Sequence, residues 1–311
     1  MRVPGSRGRG TKFASACFLM NLAEQVAEPP LPGFVQMEPV GRSQLSARAP
    51  AFMSFESFCR LLEQFPNIRQ LQLQGVGEPF LHPRFFGMVS HAVARGIEVS
   101  TTSSLAGMSE PRAKECVASG LKRLHVTLDP SDPSPTLRNL ERLVREKHRV
   151  GASFPEIRLV AAVTGRNLEQ LPDLVRLAHR SGAAALALHH EHQSLQNEDP
   201  ARVEQWFGQA RTLAAHLEVN LRLPDLQPRL YGKKRALKCD SPWRGAYLNL
   251  SGLALPCSMA NTPQPVSFGN MAKDGVARVW TSAEYQAFRE KLASSEPHEI
   301  CRGCSVYAGT L

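Results

Sequence analysis

The sequence lacks a long apolar run, because no stretch approaches the roughly 20 apolar residues that a membrane-spanning helix needs. It also lacks a convincing export signal: the apolar residues at 14–22, which follow a basic start, are few and are interrupted by Ser15, Cys17 and Asn21. We therefore expect a cytoplasmic protein with no membrane partner, and we interpret residues 1–31 as a flexible N-terminal tail.

Aromatic residues are scarce as well, at 7% of the 311 residues, and the basic residues are not interleaved with a series of them. The formal net charge of +9 is concentrated in two segments, since four cations precede the first acid and a second group lies at 229–244. Surfaces that bind nucleic acids usually combine such charge with aromatic side chains that stack on bases. The composition therefore predicts no nucleic-acid partner.

The cysteines number seven, an odd count that favours reduced thiols and metal ligation over a set of disulfides. Four of them lie near the C-terminus: Cys239, Cys257, Cys301 and Cys304. Cys301 and Cys304 form a CxxC pair, which lets two thiolates on one turn approach the same ion or cluster. Cys257 ends a segment, 246–257, whose apolar residues flank Ser251-Gly252 in the pattern of a β-hairpin. Four thiolates can hold an iron–sulfur cluster or zinc, and metal-free thiols are the third alternative.

Strand and helix patterns alternate from residue 34 to residue 224 with a period of about 30 residues, the length of a βα unit. The predicted strands are 34–38, 68–74, 97–102, 123–128, 157–163, 185–189 and 219–223. Helices fit between them, and Ser54 is the predicted N-cap of the first. This stretch is short for a closed eight-stranded barrel, which has about 250 residues. We predict an α/β fold with a partial (β/α)6–7 TIM-like barrel over 32–226 and a small cysteine-rich domain over 227–311.

Polar residues follow the carboxyl ends of several predicted strands, the edge at which parallel α/β folds bind ligands. Gly75-Val76-Gly77-Glu78 follows the second strand, and its glycines permit a close backbone approach to a ligand. The Glu78 carboxylate can accept hydrogen bonds from an amino group. Thr102 ends the third strand, and Thr127 and Asp129 stand at the end of the fourth. We call this edge the rim and predict a ligand site there.

These segments resemble the radical S-adenosylmethionine (radical SAM) superfamily. The likeness rests on residues 36–39 (QMEP), 71–83 (LQLQGVGEPFLHP) and 127–129 (TLD), while residues 239–243, 256–257, 268–270, 279–280 and 301–304 resemble its C-terminal SPASM/twitch extension. The resemblance implies that Gly75, Gly77 and Glu78 meet the methionyl end of SAM and that Thr127 and Asp129 lie near its ribose. It also implies that the four C-terminal cysteines ligate one auxiliary [4Fe–4S] cluster.

The loop after the first strand departs from the family pattern. Family members have CxxxCxxC there, and the three thiolates hold a cluster whose free iron chelates SAM before reductive cleavage to a 5′-deoxyadenosyl radical. Ser43, Ala47 and Pro50 stand at the corresponding positions of this chain. Altering a residue that merely supports a metal ligand already lowers affinity or activity by about 10–100-fold. We therefore expect the loss of all three thiolates to abolish this core cluster.

The sequence thus predicts a degenerate radical SAM/SPASM-fold protein, or pseudoenzyme, with one C-terminal [4Fe–4S] cluster and with SAM binding left open. Its expected role is binding, scaffolding or electron delivery beside an intact radical SAM maturase or within a biosynthetic pathway. Two alternatives remain: an active enzyme of the family that modifies a peptide or small metabolite, and a zinc-stabilised interaction module.

Overall fold

The structure is a computed structural model that describes residues 30–42, 50–129, 132–190, 195, 198–224, 239–258, 266–294, 296–302, 304 and 307. From Leu31 onward the described residues belong to one compact unit. Among them, no helix combines the length and the apolar content that a bilayer crossing requires.

A nine-stranded sheet in the order β11-β10-β1-β4-β5-β6-β7-β8-β9 forms the centre of this unit. In chain order the strands are β1 (Phe34–Met37), β2 (Val40–Arg42), β3 (Pro50–Phe52), β4 (Gln70–Leu73), β5 (Glu98–Ser103), β6 (Arg123–Leu128), β7 (Glu156–Val163), β8 (Ala185–His190), β9 (Leu221–Arg222), β10 (Gly245–Leu248) and β11 (Ala254–Leu255). Neighbouring strands of the sheet run parallel except β10 and β11, and β2 pairs only with β3, in a separate antiparallel hairpin.

Helices follow most strands, as right-handed βα units require. They are α1 (Phe55–Glu63), α2 (Phe85–Ala94), α3 (Glu110–Ala118), α4 (Ser134–Val150), α5 (Leu171–Arg180), α6 (Pro200–His216), α7 (Ser241–Arg244), α8 (Met271–Asp274), α9 (Val276–Trp280), α10 (Ala283–Ala293) and α11 (Glu299–Arg302), with 3-10 turns at Pro79–Leu81 and Leu168–Gln170. Ser54 caps α1, as predicted, because its side chain accepts a hydrogen bond from the Ser57 N–H at 3.0 Å.

The two faces of the sheet differ in polarity. Leu73, Val99 and Leu124 on one face are fully buried and share a continuous apolar core with residues of the surrounding helices. Thr102 and His125 lie on the opposite face, where side chains are half-buried. Strand β7 shows the alternation most clearly, since every second residue from Ile157 onward is buried. A period of two in burial is typical of a strand with one buried face.

All seven strands predicted for the barrel region are present, with ends shifted by no more than two residues, and β6 has the predicted bounds. The predicted C-terminal hairpin is confirmed as β10 and β11, with Gly252 in its turn at φ +79°. The sequence did not predict that β10 pairs in parallel with β1, where Val35 aligns with Ala246. The hairpin therefore extends the barrel sheet. The predicted domain boundary at 226/227 lies outside the described residues, so that division stays a prediction.

Candidate functional site

The Glu78 carboxylate, which follows β4 at the rim, accepts four hydrogen bonds from its own chain. Its Oε2 accepts the backbone N–H of Ser104 at 2.8 Å and the Ser104 hydroxyl at 2.7 Å. Its Oε1 accepts the Ser103 hydroxyl at 2.5 Å and the backbone N–H of Phe80 at 3.1 Å. A carboxylate offers about four acceptor positions. The residue predicted to bind an amino group of a ligand therefore already has its acceptor positions filled by β5 and the neighbouring 3-10 turn.

A second carboxylate, Glu38, connects the rim to the C-terminal hairpin. It follows β1 directly, is only 3% exposed, and accepts the Val76 N–H at 2.6 Å through Oε1. Its Oε2 accepts the Leu250 N–H, from the turn between β10 and β11, at 3.0 Å. The sequence analysis gave Glu38 no role. Its position directly after a buried strand was an available signal, because a buried carboxylate needs hydrogen-bond donors.

The two glycines before Glu78 pack against their own chain. A Cβ at Gly75 would lie 2.6 Å from Glu38 Cβ and closer still to its Cγ, and a Cβ at Gly77 would lie 2.6 Å from the carbonyl oxygen of Val40. The Gly77 N–H also donates to that carbonyl at 2.9 Å. Both glycines therefore allow another group to approach the backbone closely. The sequence predicted a ligand in this role, whereas in the structure the neighbours are the Glu38 side chain at Gly75 and Val40 at Gly77.

The remaining residues predicted for the rim are spread more widely. Thr127 lies half-buried near the end of β6, two strands from β4, and Asp129 is exposed just beyond that strand. Pro50 opens β3 and aligns with Arg42 of β2. Ser43 and Ala47 lie outside the described residues. The structure therefore places Gly75, Gly77 and Glu78 together and leaves Thr127 and Asp129 farther along the same edge.

His82 lies directly after the 3-10 turn at Pro79–Leu81 and connects this turn to Met53. It is 3% exposed; its Nδ1 accepts the backbone N–H of Arg84 at 3.0 Å, and its Nε2 lies 2.8 Å from the carbonyl oxygen of Met53. This pattern assigns the proton to Nε2, which donates to Met53. Burial, the largest cause, lowers the pKa of His82, and nearby arginines act in the same direction. The imidazole is therefore held neutral.

The four C-terminal cysteines are half-buried. Burial first, and then the charges of Cys257, Cys239 and Cys304, raise the pKa of Cys301 to about 12. The Cys301 thiol therefore stays protonated at neutral pH unless a bound cation such as a metal ion compensates the negative charge of its thiolate. Within the described ranges, however, no three His, Cys, Asp or Glu side chains converge closely enough to form a closed metal-binding group.

The donor set itself suits a metal–thiolate centre, because four cysteine thiolates hold either an iron–sulfur core or zinc. When bound, such a centre would supply one-electron transfer if it is iron–sulfur, or structural cross-linking if it is zinc.

Comparisons with known families and proteins found sequence matches to the C-terminal region and to most of the chain. Residues 239–305 match the SPASM family, an iron–sulfur cluster-binding domain. The chain is 24% identical over 295 residues to the tungsten-containing aldehyde ferredoxin oxidoreductase cofactor-modifying protein of Pyrococcus furiosus, covering 82% of this chain and 79% of that protein. It is 26% identical over 266 residues to the PqqA peptide cyclase of Xanthomonas campestris pv. campestris, covering 78% and 69%.

Solved structures share the fold at low identity. SuiB of Streptococcus suis, bound to its precursor peptide SuiA, matches with a TM-score of 0.66 and 13% identity over 89% of this chain and 70% of SuiB. The enzyme anSMEcpe with bound AdoMet matches with a TM-score of 0.63 and 15% identity, covering 90% of this chain and 84% of anSMEcpe. These likenesses confirm the predicted α/β partial barrel.

The fold and the C-terminal match together define the class: a partial α/β barrel followed by a SPASM region. Residues 239–305 thus match the SPASM domain, and the longer chain is similar in sequence to the two relatives named above and in fold to SuiB and anSMEcpe. Both relatives are named for the modification of a peptide or a cofactor, and neither comparison supports the predicted degeneracy.

Proposed function

We propose that this chain serves the modification of a peptide or small metabolite and carries one metal–thiolate centre, a [4Fe–4S] cluster, on Cys239, Cys257, Cys301 and Cys304. The main support for this cluster is the match of residues 239–305 to the SPASM domain. Two forms of this function differ in whether the chain performs the modification itself.

In the first form the chain is an enzyme, and its relatives favour this form. A PqqA peptide cyclase and a cofactor-modifying protein align over most of its length, and SuiB shares its fold with a precursor peptide bound. Gly75, Gly77, Glu78, Thr127 and Asp129 then line the binding site for SAM at the rim. The iron that anchors SAM has to come from ligands other than residues 43–50, which contain no cysteine.

In the second form the chain binds the substrate or delivers electrons for a separate radical SAM maturase and makes no radical itself. The residues at the rim favour this form. Ser43, Ala47 and Pro50 cannot replace three thiolates, and no cysteine lies between Cys17 and Cys59. The Glu78 carboxylate is already saturated by Ser103, Ser104 and Phe80. The rim residues therefore do not fit a core cluster with bound SAM, and we assign no reaction step to it.

Anaerobic reconstitution of the full chain separates the two forms. Iron and sulfide counts with Mössbauer spectroscopy are expected to give one cluster per chain in the second form, and two clusters or reductive SAM cleavage would exclude that form. The matched comparison restores the family motif through Ser43→Cys, Ala47→Cys and Pro50→Cys. We expect this variant to gain a second cluster. A colourless protein that contains zinc would favour the interaction module instead.

The substitution Glu78→Gln then tests the role of the rim. An enzyme should lose turnover at least about 100-fold when this carboxylate is neutralised, because the charged form is what the amino group of SAM would meet. A scaffold should keep its affinity for the peptide or the maturase, since the exchange preserves the size of the side chain. Single-turnover assays and binding isotherms on the same preparation measure both quantities.

A further inference from the structure

The face of the sheet opposite the helices carries charged side chains where a barrel is usually filled by apolar ones. Every second residue of β6 and β7, beginning with Arg123 and Glu156, lies half-buried on this face, and the residues between them belong to the apolar core. We call it the inner face. The interior of a closed barrel is filled mainly by Val, Ile and Leu. Charged residues at such positions therefore need a reason other than packing.

The strand register places His125 beside Arg158 on the inner face. The two are Cα partners in the parallel pairing of β6 with β7, and Thr102 of β5 is the partner of His125 on the other side. Neighbouring strands lie about 4.8 Å apart, and partner residues of parallel strands point to the same face. The three side chains therefore form one row across the inner face.

Arg158 is oriented by one ion pair that occupies only part of its guanidinium. Its Nε lies 2.6 Å from Oε1 of Glu156, which stands two residues earlier on the same face of β7. Within the described ranges, neither terminal nitrogen of Arg158 takes part in a hydrogen bond or an ion pair. Two N–H groups of a guanidinium can bind a carboxylate in parallel. The terminal nitrogens of Arg158 are thus able to hold a second carboxylate.

Arg222 flanks the same surface from the edge strand β9. It is the register partner of Ala187 on β8, and Ala187 is the partner of Val160, two residues after Arg158 on β7. None of the ion pairs in the described part of the chain includes Arg222. Because Ala187 has only a methyl group, it leaves space above β8. Strands β7 and β9 lie about 10 Å apart, two strand spacings, which two long side chains can bridge through one small anion.

The charges on the inner face leave an excess of positive charge. The two other arginines of this face, Arg123 and Arg158, are paired with glutamates, so Arg222 adds an uncompensated charge among the described residues. Burial, the largest cause, and then the three arginines lower the pKa of His125, and Glu156 opposes them. One excess positive charge matches a carboxylate better than a phosphate group, which carries about −1.5 to −2 at pH 7.

We propose that the inner face binds a carboxylate of the substrate between Arg158 and Arg222, with His125 as a neighbouring hydrogen-bond donor. This inference rests on the proposed function, in which the chain acts on or holds a peptide or small metabolite, and it names the substrate class as a molecule that carries a carboxylate. The arginines supply the positive charge, and a neutral imidazole supplies one N–H. Ala187 keeps the space between the two arginines open.

Ligand-observed NMR titrations of the full-length chain test this inference with a matched pair of probes. N-acetylaspartic acid α-amide carries one side-chain carboxylate, and N-acetylasparagine α-amide is its neutral isostere. At low ionic strength we expect the wild type to bind the acid at least about tenfold more tightly than the neutral probe, because hydrogen bonds to charged groups are the stronger ones. Inorganic phosphate is the third probe, and it should bind more weakly than the acid.

Substitutions on the inner face should remove this preference. Arg158→Gln should lower the affinity for the acid at least about tenfold, and Arg222→Gln should lower it at least about threefold. Ala187→Leu fills the space between the two arginines without changing the charge, and it should lower the affinity at least about tenfold. The control is Arg180→Gln, which removes an exposed arginine of α5 and should leave the affinity unchanged.

The outcomes separate this inference from the proposed function. A wild type that binds no probe, binds the acid and its isostere alike, or prefers phosphate overturns the inference, and so do unchanged affinities in the inner-face variants. If Arg158→Gln fails to fold, Arg222→Gln decides, since its side chain is exposed on the edge strand. Iron and zinc are counted on the same preparation. A chain that prefers the acid but holds no metal overturns the proposed cluster alone, and a metal-loaded chain without the preference overturns the inference alone.

Discussion

The rim and the C-terminal cysteine region satisfy their polar groups in opposite ways. At the rim, Glu78 is an anion whose acceptor positions are all filled by Ser103, Ser104 and Phe80. In the C-terminal region, the buried Arg289 side chain donates to the carbonyl oxygens of Pro242 and Trp280 and lies against the Trp280 and Tyr285 rings. The rim thus meets its buried charge with hydroxyl and backbone N–H donors, whereas the C-terminal region meets its buried charge with neutral carbonyl oxygens and aromatic rings.

The largest expected effect comes from Cys301→Ser, which removes one thiolate of the proposed centre. We expect metal content to fall at least about tenfold, because even supporting residues of metal sites matter to that degree. Iron, zinc and sulfide counts after anaerobic purification measure it. Cys59→Ser is the control, because Cys59 lies on α1 and should leave the metal content unchanged. Full metal loading of Cys301→Ser would break the contrast between the two regions.

The next effect concerns the packing of the rim. Gly77→Ala should lower the free energy of unfolding by about 3 kcal/mol, because its Cβ would press on the backbone carbonyl of Val40, which cannot move as a side chain can. Urea denaturation measures the change. Gly208→Ala is the control, since no atom lies within 4 Å of its added Cβ, and replacing a helical glycine should raise stability by about 0.5–1 kcal/mol. Equal effects at both sites would show that the rim is loosely packed.

A smaller effect is expected from Glu78→Gln on stability. The amide keeps one acceptor oxygen, so the backbone N–H of either Phe80 or Ser104 faces an NH2 group and loses its acceptor, while the serine hydroxyl there can turn to accept from that group. We expect a loss of about 2 kcal/mol in the free energy of unfolding. Ser104→Ala removes a single donor and should lower it by about 1 kcal/mol. If Glu78→Gln leaves stability unchanged, the carboxylate is not engaged internally and is available to a ligand.

Local patterns in the sequence were sufficient to predict the strands. They were not sufficient to predict the long-range contacts at the rim or in the C-terminal region. The bounds of β6 follow from a period of two that any half-buried strand repeats. The pairing of β10 with β1 could not be predicted, because it joins segments more than 200 residues apart. Glu38 has the same limitation, since its donors Val76 and Leu250 come from two distant turns.

Arg289 shows a different limit of prediction. It stands one helical turn after Tyr285 on α10, on the face that packs into the core, and the sequence analysis assigned it no position. A long cationic side chain at such a position usually extends to solvent. Only the contacts with Pro242 and Trp280 show that it does not.

The smallest expected effect is a pH dependence of stability that comes from two partly buried histidines, His82 and His125. Burial lowers the pKa of His82, so below its ordinary value near 6.5 the unfolded chain binds a proton that the folded chain excludes. The free energy of unfolding should therefore fall as the pH is lowered from 7 through 6.5 toward the lowered pKa, and level off below it. His82→Gln, whose amide can still donate to Met53, should flatten this profile when urea denaturation is repeated from pH 7.5 to pH 5. His125 contributes with the same sign, because burial and the neighbouring arginines lower its pKa too, and His125→Gln measures that share. A profile that stays equally steep in both variants would mean that neither His82 nor His125 causes the pH dependence of stability.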